Sequence, residues 1–350
     1  MKAGTLYARH DFRVEVQPDP QCGDDDVLIE VAFNGLCGTD ATEYSKGPMM
    51  VPLESRHPGS GHVGPTILGH EFVGTVVDAG ANARSRVGER VACGAGVSCG
   101  RCDRCFEGRT NLCREYYTLG LSTNGGLAEF VAAPSGTCFG IPDGASDKEA
   151  ALAQPLAVGI HSVNRANVTA GDCIVVLGVG AIGSFICTAL RNHDGPVIAV
   201  DVDPKRLEVA RQLGAAETIC VSPDASVSDL RDAVPRTVDV AFEASGVTGA
   251  AQKAFSLVRN GGEVTLVGLN KTSEPLNLAD IVLREVSMRS TVAHVCASDI
   301  PAALKLLVDF PLTEILPTQV ISLEAVVHDG LEPLSRGVSS GKVLVDPRDG

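Results

Sequence analysis

The stretch from Asp172 to Asp201 constrains this chain more than any other. It begins with the short, β-branched apolar run Cys173-Ile174-Val175-Val176-Leu177, the composition of a strand buried on both faces. Gly178-Val179-Gly180-Ala181-Ile182-Gly183 follows, then an apolar helical run, then Val197-Ile198-Ala199-Val200-Asp201. In this spacing the first glycine permits the tight turn and the second admits backbone close to a pyrophosphate. The third lets helix and strand pack closely. Free N–H groups at the helix start then face the phosphates. Asp201 ends the second strand near the usual distance of about 20 residues for a carboxylate that binds the adenosine ribose. Together these features predict a dinucleotide site, against the plainer alternative of a Gly-rich turn in another α/β unit. A carboxylate at Asp201 accepts from a free 2′-hydroxyl and repels a 2′-phosphate, so NAD is expected over NADP. Arg206, five residues on, could soften that preference by touching the adenosine.

Downstream of Gly171 strands and helices alternate. The pattern predicts strands at 173–177, 197–201, 217–221, 238–243 and 263–269, with another near 286–292. Helices are expected at 181–192, 204–213 and 248–258. This alternation belongs to a doubly wound parallel sheet. Upstream, Phe12-Arg13-Val14-Glu15-Val16 and Val27-Leu28-Ile29-Glu30-Val31 alternate as half-exposed strands of a mostly antiparallel sheet. Residues 148–167 read as helical, with Pro155 a kink or restart, and 301–308 as a further helix. Gly341 to Pro347 reads as a closing strand. A cofactor domain at 153–295 therefore interrupts a β-rich domain formed by 1–152 and 296–350.

Twelve cysteines in a chain without a signal-peptide core read as thiols and metal ligands, not disulfides. Cys99, Cys102, Cys105 and Cys113 carry the spacing C-x₂-C-x₂-C-x₇-C, four sulfurs in one compact lobe. A closed tetrahedral zinc requires that donor set. An iron–sulfur cluster and unliganded cysteines are the lesser alternatives. Cys93 reads as a bystander, and Cys22, Cys138, Cys173, Cys187, Cys220 and Cys296 as small buried hydrophobes or inert thiols. A looser set is Cys37 in Gly-Leu-Cys-Gly-Thr-Asp and the pair His70-Glu71 after Gly69. Alone, each could be a turn cysteine or a core histidine. Together they offer S, N and O ligands for a zinc with an open position.

Net charge is −14, aromatic residues make up 4% of the chain and Trp is absent. That composition argues against nucleic-acid partners. No apolar run reaches membrane-spanning length, so a cytoplasmic protein is expected.

The combination of Gly-Leu-Cys-Gly-Thr-Asp at 35–40, Gly-His-Glu at 69–71, the four-cysteine lobe and the glycine loop at 178–183 resembles the zinc-dependent medium-chain dehydrogenase/reductase superfamily over essentially the whole chain. Arg56-His57-Pro58, Pro65 to Phe72 and Pro155-Leu156-Ala157-Val158 resemble its polyol and 2,3-butanediol dehydrogenase branch. The resemblance implies a GroES-like catalytic domain interrupted by a Rossmann domain, and two zinc ions per chain. It implies hydride transfer between NAD and a secondary alcohol or ketone, with zinc polarising the oxygen. Cys37 and His70 match zinc ligands. Glu71 matches a residue that ligates directly in some members and stands behind the ligands in others. Thr39 matches the hydroxyl that relays the alcohol proton. Tyr44 and residues 46–58 match the substrate wall.

Two departures stand out. Thr42 replaces the histidine that commonly ends the proton relay, and Gln154 replaces a glutamate beside or on the zinc. Vicinal diols, sugars or cyclitols, and amino alcohols such as threonine are the candidate substrates. A non-catalytic protein on the same scaffold is the competing class, disfavoured by the intact Cys37, Thr39, His70 and Glu71 set. A zinc-free quinone reductase would lack both cysteine constellations. An exposed apolar sheet edge near 285–291 needs covering; members of the resembled family pair this edge across a two-fold axis, so the resemblance implies a homodimer or a homotetramer built from dimers.

Overall fold

In the computed structural model of the protein, the described residues are 1–270, 272–339 and 341–349. They form two compact units, Met1–Ala157 with His294–Gly350, and Val158–Ala293. The division falls inside the helix Ala153–Arg165.

The first unit is built on the strand Asp26–Gly35, which pairs antiparallel with Glu71–Ala79, Phe130–Pro134 and Lys342–Asp346. Its early residues alternate between buried and half-buried, and its second half is buried throughout. That change follows from partners closing over both faces. Thr318–Ser322 adds parallel to Lys342–Asp346, so the C-terminus completes the sheet that the N-terminus began. A smaller sheet joins Lys2–Ala8 to Asp11–Val16 and Thr66–Ile67. Val27, Ile29, Val31, Phe72, Val76 and Val91 pack into one core, and Leu36, Leu68, Leu127, Val343 and Val345 into another. The second core lies beside the segments that carry Cys37 and His70.

The other unit is a parallel sheet in the order Glu217–Cys220, Val197–Asp201, Ile174–Leu177, Val238–Glu243, Val258–Leu266, Ser287–Ser290. Its central strands are buried along their whole length. They therefore read as continuous apolar runs with no alternation. Helices Ala181–Ala189, Pro204–Leu213 and Ala250–Leu257 intervene. Pro204 opens its helix, where its missing N–H is not needed. This is the α/β architecture expected: a β-rich domain interrupted by a doubly wound parallel sheet.

Some boundaries differ. The strand expected at 263–269 runs Val258–Leu266 instead, with a register shift between Val238 and Val240 of its neighbour. Residues 148–167 split into Asp147–Ala150 and Ala153–Arg165. Pro155 therefore stands in a first turn, where no backbone donor is lost. The helix expected at 301–308 begins earlier, at Cys296, and carries Pro301 within it. Cys220, read as a small buried hydrophobe or an inert thiol, is exposed at the end of an edge strand, so the buried reading does not apply to it. No helix among the described residues is long and apolar enough to cross a membrane.

Candidate metal centres and cofactor site

Cys37 precedes the first residue of the helix Gly38–Lys46, just beyond the strand Asp26–Gly35. Gly69 adopts φ +96°, in the left-handed region open to glycine, and sets His70 at the mouth of the strand Glu71–Ala79. Gly35 pairs with Glu71 across the ladder, which draws the two segments together. One donor atom each from Cys37, His70 and Glu71 lies within 4.8 Å of the others. Thr39 Oγ1 stands 3.7 Å from Cys37 Sγ. Gln154 is half-buried near the start of the helix Ala153–Arg165.

The surroundings of these donors fit a cation. His70 is 5% exposed, and its Nδ1 lies 3.3 Å from Asp40 Oδ1. Burial opposes an imidazolium there, yet the charge of Asp40 and the Cys37 sulfur outweigh it and hold His70 well above its ordinary value. The surroundings therefore favour positive charge at this position, the sign that a divalent cation would bring. Asp40 also accepts the N–H of Cys37 at 2.9 Å through Oδ2, while its Oδ1 and the facing His70 Nδ1 are buried without a hydrogen-bond partner. Glu43, on the same helix, accepts the N–H groups of Met49 and Met50 at 2.9 and 2.8 Å and fixes the loop that follows.

Sequence reasoning gave no role to Asp40 or to Lys342. Lys342 is 6% exposed, donates to the Leu36 carbonyl at 3.0 Å and pairs with Glu71. The available signal was a lysine opening the apolar strand Lys342-Val343-Leu344-Val345, since lysine is almost never buried unless paired.

The second cluster joins Cys99, Cys102, Cys105 and Cys113, again with donor atoms within 4.8 Å of one another. Backbone N–H groups point at the sulfurs: Cys99 and Glu115 each donate to Cys113 Sγ at 3.3 Å. Cys102 is pulled down to about 6 by the backbone N–H groups of Arg114 and Cys105. Burial pushes Cys113 up to about 11. Four adjacent sulfurs cannot all ionise unaided, so the donor set calls for a cation with four soft ligands and no vacancy. Cys93 lies apart, 1% exposed in an apolar core.

In the other unit, Gly178 takes φ +83° at the end of Ile174–Leu177, and a Cβ there would press on Ser245. A Cβ on Gly183 would press on the Gly178 carbonyl. At Gly180, by contrast, a Cβ would meet nothing within 4 Å. The protein therefore fills the space at the outer glycines and leaves the middle one free, as a phosphate cradle requires. Gly180 caps the helix that begins with Ala181, Ile182 and Gly183. Val179 N–H donates to Asp201 Oδ2 at 2.8 Å, and Asp203 N–H donates to Oδ1 at 3.0 Å. Arg206 stands 3.8 Å from Asp203, its partner one helical turn back. Glu243, 3% exposed, accepts from Ser245 N–H at 2.8 Å, Ser245 Oγ at 2.5 Å and Gly246 N–H at 3.0 Å. It shapes the turn beside Gly178 and is another residue that spacing did not reveal.

Donors of S, N and O that could hold a metal, a four-sulfur lobe and a glycine-loop parallel sheet are the parts that a metal-dependent dinucleotide oxidoreductase needs. Residues 23–143 match the family described as Alcohol dehydrogenase GroES-like domain, and residues 181–309 match Zinc-binding dehydrogenase. The chain is 34% identical to sorbitol dehydrogenase of Bacillus subtilis over 293 residues, covering 82% of this chain and 81% of that one. It is 31% identical to (R,R)-butanediol dehydrogenase of the same organism over 352 residues, covering 99% and 100%. The crystal structure of 2R,3R-butanediol dehydrogenase from Bacillus subtilis matches with a TM-score of 0.88 at 29% identity, over 99% of both chains. The chain belongs to the zinc-dependent medium-chain dehydrogenase/reductase superfamily, in its polyol and butanediol dehydrogenase branch. It is a zinc-dependent oxidoreductase of CH–OH groups that uses a nicotinamide cofactor.

Proposed function

We propose that this protein interconverts a vicinal diol or polyol, such as 2,3-butanediol, and its ketone, with NAD and two zinc ions per chain. The observation that carries the reading is the convergence of Cys37, His70 and Glu71 donors within 4.8 Å, with Thr39 beside Cys37. When bound, zinc supplies Lewis acidity toward the alcohol oxygen.

The chain's own residues do the rest. Cys37, His70 and Glu71 would hold the metal, with Gln154 expected beside it, and Asp40 Oδ1 faces His70 Nδ1 at 3.3 Å. The Thr39 hydroxyl takes the alcohol proton and passes it on. Thr42 cannot act as a base near neutral pH, so the proton leaves through water or another group. Cys99, Cys102, Cys105 and Cys113 close a structural site with no room for substrate. The cradle at Gly180 receives the pyrophosphate, and Asp201 receives the ribose hydroxyls. The pairing of Arg206 with Asp203 supports NAD, because it engages the cation that a 2′-phosphate would need.

The protein is expected to work in the cytoplasm as a homodimer or homotetramer, with a small alcohol or ketone as its partner and neither nucleic acid nor membrane. The test is NADH formation across a panel of diols, polyols, cyclitols and amino alcohols. Highest kcat/KM on a vicinal diol or polyol supports the reading, and a preference for threonine or another amino alcohol overturns its substrate class.

A further inference from the structure

Lys342 grips both segments that bring the metal donors together. Its Nζ donates to the carbonyl of Leu36, the residue before Cys37, at 3.0 Å, and it pairs with Oε2 of Glu71, the residue after His70. The Lys342 and Glu71 side chains are 7% and 1% exposed. Gly35 makes room for the pair: a Cβ there would stand 2.9 Å from Lys342 Cε and nearer still to the Glu71 carboxylate. The ammonium thus reaches the site from the far end of the chain, on the closing strand Lys342–Asp346.

We propose that Lys342 is an internal counter-cation that occupies Glu71 in the unloaded site and competes with the metal for it. It thereby keeps the metal-free centre folded and tempers metal affinity. The proposal rests on the reading of Cys37, His70 and Glu71 as a metal site. A positive charge in contact with a donor carboxylate repels an incoming dication and engages lone pairs that the metal would use. A buried carboxylate stripped of the ammonium that pairs with it is strongly unfavourable, but a bound metal makes good that loss. Removing the lysine charge therefore acts with opposite sign on two quantities: stability of the unloaded protein falls, and metal affinity rises. A lysine with a merely structural role would lower stability equally in both forms and leave affinity alone.

The experiment compares Lys342→Gln, which keeps a donor for Leu36 without the charge, with Lys342→Arg, which keeps the charge. Full-length protein is stripped of zinc, titrated with zinc against a chromophoric chelator, and melted with and without the metal. Lys342→Gln is expected to melt below the parent without zinc and to recover most of the deficit with it. It should also hold the Cys37-dependent zinc roughly tenfold or more tightly. Lys342→Arg should stay near the parent in both respects. An equal Tm deficit with and without zinc, or unchanged or weaker zinc binding in Lys342→Gln, overturns the proposal. If Lys342→Gln folds too poorly to titrate, the double variant Lys342→Gln/Glu71→Gln decides, since losing both charges should restore the unloaded Tm. Failure to restore it also overturns the proposal. A Cys37→Ser protein with the parent's zinc stoichiometry would instead sink the metal-site reading itself.

Discussion

The carboxylate of Asp201 accepts the backbone N–H of Val179 at 2.8 Å, tying the end of one strand to the middle of the glycine loop. Its other oxygen accepts Asp203 N–H at 3.0 Å, so both oxygens are oriented while lone pairs remain for ribose hydroxyls. Asp201→Ala is therefore expected to lower kcat/KM with NAD by about 10- to 100-fold, as befits hydrogen bonds to a charged group worth about 1.5–3 kcal/mol. The loss with NADP should be much smaller, because repulsion of its phosphate disappears too. Steady-state kinetics with both cofactors check this, and an unchanged NAD-to-NADP ratio would contradict it.

The four-cysteine lobe should fail differently from the Cys37 centre. Cys102→Ser is expected to remove about one zinc per chain and to lower Tm, because structural zinc binding is coupled to folding. Acid should act on the same thiolate. Its folded value is depressed to about 6 from an ordinary 9.0, so in the metal-free lobe its contribution is complete above about 9 and lost as pH falls through about 6. Zinc release followed across that range, in the parent and in Cys37→Ser, separates the two centres. A parent that holds only one zinc per chain, fully retained in Cys102→Ser, would contradict the assignment.

The proton path is tested by two substitutions on one helix. Thr39→Val should lose most alcohol oxidation, a fall of about 100-fold or more, while NADH binding followed by fluorescence is retained. Thr42→His should add an ionisation near histidine's reference value of about 6.5 to the pH–rate profile. If proton transfer limits the rate and the profile does not move, residue 42 lies off the path.

Assembly is expected at the edge strand Ser287–Ser290. Met288, Val282, Leu283 and Val292 are exposed on or near it, at 58%, 72%, 84% and 51%. A hydrophobic sheet edge left open invites pairing with another chain. Sedimentation at micromolar concentration should give a dimer or tetramer, and Met288→Lys should shift the population toward monomer. A parent protein that sediments as a monomer would contradict the expectation.

The glycine loop, the four-cysteine lobe and the alternation after Gly171 were legible because each is local: a period or a spacing carries the physics. Cys37 and His70 are 33 positions apart and were suggestive only beside a resemblance, since the Gly35–Glu71 ladder pair that joins them is long-range. Lys342 was illegible as a site residue for the same reason, lying 271 positions from Glu71. Glu243 and Asp40 act through backbone N–H groups and a neighbouring ring, contacts with no sequence periodicity. The boundary at Val258 moved because Val258 pairs with Val238 ahead of the Asn260-Gly261-Gly262 turn, while the ladder resumes only at Glu263, where turn chemistry placed the start.

The most direct test of the account is NADH formation by the parent and by Cys37→Ser on a vicinal diol such as 2,3-butanediol, with zinc counted in both proteins. The account predicts turnover in the parent with about two zinc ions per chain. In the variant it predicts a loss of about 1,000-fold or more, with about one zinc retained. Equal turnover in the two proteins, or a parent that oxidises no CH–OH substrate while fully loaded with zinc, would contradict it.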